Sequence, residues 1–119
     1  MKILLIEDDP FLSDLYKNQL EKAGHGVLQS FDSSEGLKAV GVVRPDLVIL
    51  DLIMPKFSGM EILRKIKADE TLKGVRVIVL SNIKDEKIIK EALSLGAKGY
   101  IIKTTVTPDQ VPEEIKKYL

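Results

Sequence analysis

The sequence has no cysteine and only one histidine among its 119 residues. No disulfide framework, thiolate zinc site or cysteine nucleophile is available to it. That absence suits a reducing cytoplasm, where we place the protein. Charge of either sign is not in excess, with 18 Lys and Arg against 18 Asp and Glu. A nucleic-acid binder needs surplus basic residues to offset phosphates. An electrostatic membrane binder needs them for anionic lipids. Direct binding to either is not expected. No apolar run approaches the roughly 18 residues of a membrane span. Glu7 interrupts the apolar N-terminus too early for a signal peptide. What is present is 45% hydrophobic and 30% charged residues, the balance of a well-folded domain. The length suits one ordinary domain. Residues 1–119 are expected to form it, with no effector domain in this chain.

The apolar residues follow two alternating patterns. Ile3–Ile6, Leu47–Leu50, Val77–Leu80 and Tyr100–Ile102 are short and almost wholly apolar. Runs of that length, rich in β-branched residues and without alternation, suit strands buried on both faces. Val27–Ser30 is weaker and more polar and reads as an edge strand. Between these runs the apolar residues take helical spacing, over 10–23, 33–42, 58–68, 85–95 and about 108–118. Asp9 can cap the first helix, with Pro10 at its first position and Gly24 ending it. Ser33 is the expected cap of the second. In the last, Pro112 lies four residues after Pro108, so either the helix begins nearer Pro112 or its first turn is distorted. His25, between Gly24 and Gly26, reads as an exposed loop residue. Five short strand–helix units require parallel strands joined by helical crossovers. Right-handed crossovers put helices on both faces, giving a doubly wound (βα)5 sheet.

In an open parallel sheet, ligands bind beyond the carboxyl ends of the strands. The first run ends in Glu7-Asp8-Asp9, the third in Asp51, the fourth in Ser81-Asn82 and the fifth in Lys103-Thr104. Several carboxylates, a hydroxyl and an ammonium thus meet at one mouth. Crowded carboxylates raise one another's pKa, and a divalent cation relieves this. An all-oxygen ligand set points to a hard ion, Mg2+ before Ca2+ or Mn2+. Carboxylate, Mg2+, lysine and hydroxyl together make a site for phosphoryl transfer, and a carboxylate can itself be the nucleophile. Asp51 closes the most apolar strand and is the candidate nucleophile, while Glu7 and Asp8 suit the metal.

These residues, with Asp51-Leu52-Ile53-Met54-Pro55 followed by Gly59, and Gly99-Tyr100-Ile101-Ile102-Lys103, resemble the receiver domains of two-component response regulators. The resemblance covers essentially the whole chain, with four motifs in order. It implies a flavodoxin-like sheet of strand order 2-1-3-4-5, an order known for this fold type. It implies Asp51 as phosphoacceptor, with Mg2+ held by Glu7 (through water), Asp8, Asp51 and the backbone carbonyl of Ile53. Ser81 and Lys103 would receive phosphoryl oxygens, and Tyr100 would be the aromatic that rotates inward on activation. The phosphoryl donor would be a histidine kinase or histidine phosphotransfer protein. A downstream protein would bind the face of helix four, strand five and helix five. A phosphorylation-dependent dimer is left open.

Two departures stand out. Thr104 replaces the usual proline after the lysine, so the Lys103–Thr104 bond is expected to be trans. Asn82 takes the place of a small residue and would narrow access. Ile53 and Ile83, two residues beyond Asp51 and Ser81, cannot orient an attacking water, so slow self-dephosphorylation is expected. The rival readings are a small Mg2+-dependent phosphatase with an aspartate nucleophile, which would want a second acid at Ile53, and a pseudo-receiver that is never phosphorylated. A flavin carrier would need a phosphate-cradling loop where acids stand.

Overall fold

The apolar runs do form the sheet. In the computed structural model, which describes residues 1–119, the strands are β1 (Lys2–Ile6), β2 (Gly26–Ser30), β3 (Leu47–Leu50), β4 (Arg76–Ser81) and β5 (Gly99–Ile102). All pair in parallel, in the order β2-β1-β3-β4-β5. Ile3, Leu4, Leu5 and Ile6 are each at most 1% exposed, which explains why β1 shows no alternation. Its side chains still point alternately. Leu4 and Ile6 join Val48, Leu50, Val77 and Val79 in one core layer, and Ile3 and Leu5 join Leu47, Ile49, Ile78 and Leu80 in the other. The β2 strand lies on one edge, as its weaker pattern predicts, and Leu28 is left exposed there.

The helices are α1 (Pro10–Lys22), α2 (Ser33–Val43), α3 (Gly59–Ala68), α4 (Glu86–Ser94) and α5 (Val111–Lys116). One layer carries α1 and α5 through Tyr16, Leu20, Val111 and Ile115. The other carries α2, α3 and α4 through Val40, Ile62, Leu63, Ile66 and Ala92. Each of the Val, Leu and Ile side chains among these stabilises the fold by roughly 1.5–3 kcal/mol on burial, so the sheet is fixed from both sides.

Local signals set the helix ends. Asp9 caps α1 by accepting the Phe11 and Leu12 N–H groups at 3.0 and 3.2 Å. Gly24 and Gly96 follow α1 and α4 at φ +96° and +107°, a region only glycine enters freely. The cap of α2 is Asp32, which accepts the Glu35 N–H at 2.7 Å. Ser33 is instead the first helical residue, and its hydroxyl is directed elsewhere. The two prolines near the C-terminus divide the work: Pro108 opens a 3-10 turn (Pro108–Gln110), and Pro112 sits at the second position of α5, where its missing N–H costs nothing. Every peptide bond is trans, Lys103–Thr104 included, and Lys103–Thr105 forms a 3-10 turn. His25 is half-buried, not exposed, and its Nδ1 lies 3.1 Å from the Met1 ammonium. No helix is long and apolar enough to cross a membrane.

Candidate functional site

Strand register assembles the site. Ile6 lies beside Leu50, so the next residues, Glu7 and Asp51, emerge side by side at the carboxyl edge. The Asp51 N–H continues the ladder, donating to the Ile6 carbonyl at 3.1 Å. Carboxylate oxygens of Glu7, Asp8 and Asp51 lie within 4.8 Å of one another. Glu7 and Asp51 are buried, 2% and 6% exposed, whereas Asp8 faces solvent. Lys103 arrives from the end of β5 and donates to Asp51 Oδ2 at 2.7 Å and also to Glu7 Oε1.

Every oxygen of the two buried acids has a partner. Glu7 Oε2 accepts the Asp9 N–H at 3.1 Å, and Asp51 Oδ1 accepts the Ile53 N–H at 3.2 Å. Burial raises the Glu7 pKa above its ordinary value, and the bonds from Lys103 and the Asp9 N–H offset this only in part. Burial alone would lower Lys103, but its bonds to Asp51 and Glu7 outweigh that and hold the ammonium above the ordinary lysine range. Three carboxylates against one ammonium leave two formal negative charges in the pocket. One divalent cation would balance them. The donor set is all oxygen, which fits Mg2+. Both oxygens of Glu7 and of Asp51 already accept a hydrogen bond, while each Asp51 oxygen keeps a second lone pair. Asp8 is the carboxylate of the three that is open to solvent for direct ligation.

The remaining expected residues stand around this cluster. Ser81 is the last residue of β4, fully buried, and its Oγ accepts the Ile83 N–H at 3.3 Å. Tyr100 is half-buried on β5, and its hydroxyl donates to the Ile83 carbonyl at 2.8 Å. Burial raises its pKa, and the Asp51 charge adds to this. Ser81 and Tyr100 thus hold the two sides of one peptide segment at Ile83. The Ile83 side chain packs on the α3–α4 layer and lines a cavity of about 270 Å3 there with Leu52, Met60 and Ile88. Ile53, 58% exposed, is free of the core.

The chain matches the model of the response regulator receiver domain over residues 3–116. It belongs to the receiver family of two-component response regulators. This receiver is 33% identical to sporulation initiation phosphotransferase F of Bacillus subtilis, across 99% of this chain and 93% of that protein. It is also 33% identical to the DNA-binding dual master transcriptional regulator RpaA of Synechocystis, across 86% of this chain but 42% of that regulator. The receiver spans about half the length of most curated relatives it matches. Among solved structures, a CheY-like receiver domain protein from Methanospirillum hungatei superposes with a TM-score of 0.87 at 29% identity, covering 98% of this chain and 90% of that one. Chemotaxis protein CheY4 of Vibrio cholerae, at 23% identity and a TM-score of 0.89 over 99% and 98%, agrees in fold. The (βα)5 architecture and strand order are those of this flavodoxin-like receiver fold.

Two residues that shape the site lay outside the expected roles. Gly59 opens α3 so close to β3 that a Cβ there would stand 2.1 Å from the Asp51 carbonyl oxygen. Its place after the Asp51–Pro55 stretch is the only sequence signal of that contact. Ser33 read as a helix cap but contacts the loop after Asp51, a partner no local pattern reveals.

Proposed function

We propose that Asp51 accepts a phosphoryl group from a phosphohistidine on a histidine kinase or phosphotransfer partner, and that this chain is a single receiver over residues 1–119. The observation that carries the reading is the buried Asp51 carboxylate held by Lys103 beside two further acids. Asp8, Asp51 and the Ile53 carbonyl would hold Mg2+, with Glu7 acting through water, and the bound ion would neutralise charge on the phosphoryl oxygens. An Asp51 carboxylate oxygen attacks phosphorus, the O–P bond forms, and the P–N bond to histidine breaks. Lys103 stays within reach of the new phosphoryl oxygens and offsets their charge. The phosphoryl group gives the Ser81 hydroxyl an acceptor to donate to, where Ser81 Oγ now accepts the Ile83 N–H, and Tyr100, bonded to the same segment, loses its anchor when that segment moves. Differential bonding of this kind shifts a two-state population. The face of α4, β5 and α5, where Leu93 is exposed, is the proposed contact for a downstream protein.

Turnover on external phosphate esters is not favoured, because Ile53 stands where a phosphatase would use a second acid. The cytoplasm remains the proposed location. Intact mass after treatment with acetyl phosphate and Mg2+ tests the reading. One phosphoryl group should add to the wild type and none to Asp51→Asn. An equal gain in the variant would remove Asp51 from its role.

A further inference from the structure

Ser33 is completely buried at the start of α2 and has no part in the chemistry above. Its hydroxyl donates to the Pro55 carbonyl at 2.7 Å and accepts the Phe57 N–H at 2.9 Å. Those two groups flank Lys56, the only residue of the segment between Asp51 and Gly59 with positive φ, at +79°. A lysine in the left-handed region is strained, and such a conformation persists only where its surroundings over-determine it. Ser33 closes a ring around that strained residue. The same segment begins at Asp51 and carries Ile53, so its path decides where the Ile53 carbonyl lies.

The other tether between α2 and this segment is weak by comparison. Lys56 Nζ lies 3.9 Å from Asp32, with 60% of the lysine side chain exposed. An exposed ion pair of that length contributes little. The two hydrogen bonds of the fully buried Ser33 hydroxyl, at 2.7 and 2.9 Å, dominate, because their loss would leave that hydroxyl's partners at Pro55 and Phe57 unpaired within the protein.

We infer that Ser33 is a positioning residue for the metal site: by fixing the Pro55–Phe57 turn, its hydroxyl sets the Ile53 carbonyl in place for Mg2+. This rests on the proposed Mg2+ ligation and concerns a residue that touches neither metal nor phosphoryl group. Ser13 supplies a matched control. It is likewise fully buried at a helix start and bonded, accepting from Gln29 Nε2 at 2.9 Å, but it does not contact the loop.

Calorimetric titration with Mg2+ alone separates the possibilities. Ser33→Ala should bind Mg2+ about 10-fold more weakly than wild type, and Ser13→Ala within about twofold of it. Equal affinities in the two alanine variants would overturn the inference and leave the phosphoacceptor reading standing. Failure of the wild type to bind Mg2+ would instead strike the proposed ligation itself. A measurement on the unaltered protein covers the case in which Ser33→Ala does not fold. Coupling is reciprocal, so saturating Mg2+ should slow hydrogen exchange at the Phe57 amide. An exchange rate there that ignores Mg2+ counts against the role of Ser33.

Discussion

The two ends of this sheet treat charge in opposite ways. At the carboxyl end, Glu7, Asp51 and Lys103 are buried together, with every carboxylate oxygen of the two acids bonded. At the amino end the polar groups are exposed or half-buried. The Lys2 N–H donates to Asp46 Oδ2 at 2.8 Å, Lys2 Nζ to the Val43 carbonyl at 3.3 Å, and the Met1 ammonium meets His25. Same strands, same register, different solvent. Buried charges are costly unless paired and therefore hold a fixed geometry, whereas exposed pairs are worth about 0–1 kcal/mol and can rearrange. Chemistry at one end and mere closure at the other follow from that difference.

The largest expected effect comes from unpairing the buried charges. Lys103→Met leaves Glu7 and Asp51 facing each other without a cation and should destabilise the Mg2+-free protein by about 3 kcal/mol, the cost of stranding buried charge. The loss should be pH-dependent. Glu7, already raised by burial, rises further without Lys103. An acid whose folded pKa lies above its unfolded value stabilises the fold below the unfolded pKa and loses that contribution as pH rises through the folded pKa. The variant should therefore recover stability on acidification relative to wild type. Urea melts across that range would show it, and a deficit that does not change with pH would mean the acids are not coupled through Lys103.

Next is Gly59→Ala. Its methyl would overlap the Asp51 carbonyl and the Leu52 backbone, so β3 and α3 must separate. A cost of about 3 kcal/mol is expected, together with weaker Mg2+ binding because Asp51 moves. Gly41→Ala, with nothing near the added methyl, should not destabilise. Equal melting behaviour in the two variants would show that the close approach at Gly59 is not required.

Much of the carboxyl end was legible in the sequence because each apolar run announces where its strand stops. Glu7, Asp51 and Lys103 follow such runs directly, and parallel order then brings them together. Asp9 and Pro10 were equally plain, since capping is settled within four residues. Ser81 closes the fourth run and is the last residue of β4, but nothing local shows that its hydroxyl accepts the Ile83 N–H. Asp32 and Ser33 are both competent caps. What divides their roles is Pro55 and Phe57, 22 and 24 residues away, and hydrophobic periodicity carries no information about a partner at that distance.

At the amino end, effects should be small. Asp46→Ala removes the acceptor for the exposed Lys2 N–H, and a loss of at most about 1 kcal/mol is expected, with Mg2+ affinity unchanged in calorimetry. A several-fold fall in affinity would show that the two ends communicate through β1.

His25 gives the finest test. Burial lowers its pKa, and the Met1 ammonium and Lys116 add to this. The neutral ring can accept from that ammonium at Nδ1, while a protonated ring cannot. A depressed histidine contributes stability that is complete above its ordinary value of 6.5 and disappears as pH falls through the lower folded value. Wild type should thus lose slightly more thermal stability than His25→Asn on acidification below that value. The carboxylates at the other end titrate in both proteins, so their contribution cancels in the difference. Parallel pH profiles would show that the ring is as free in the folded chain as in the unfolded one. A divergence confined to the window below 6.5 would place a small, independent titration at the end of the sheet that carries no chemistry.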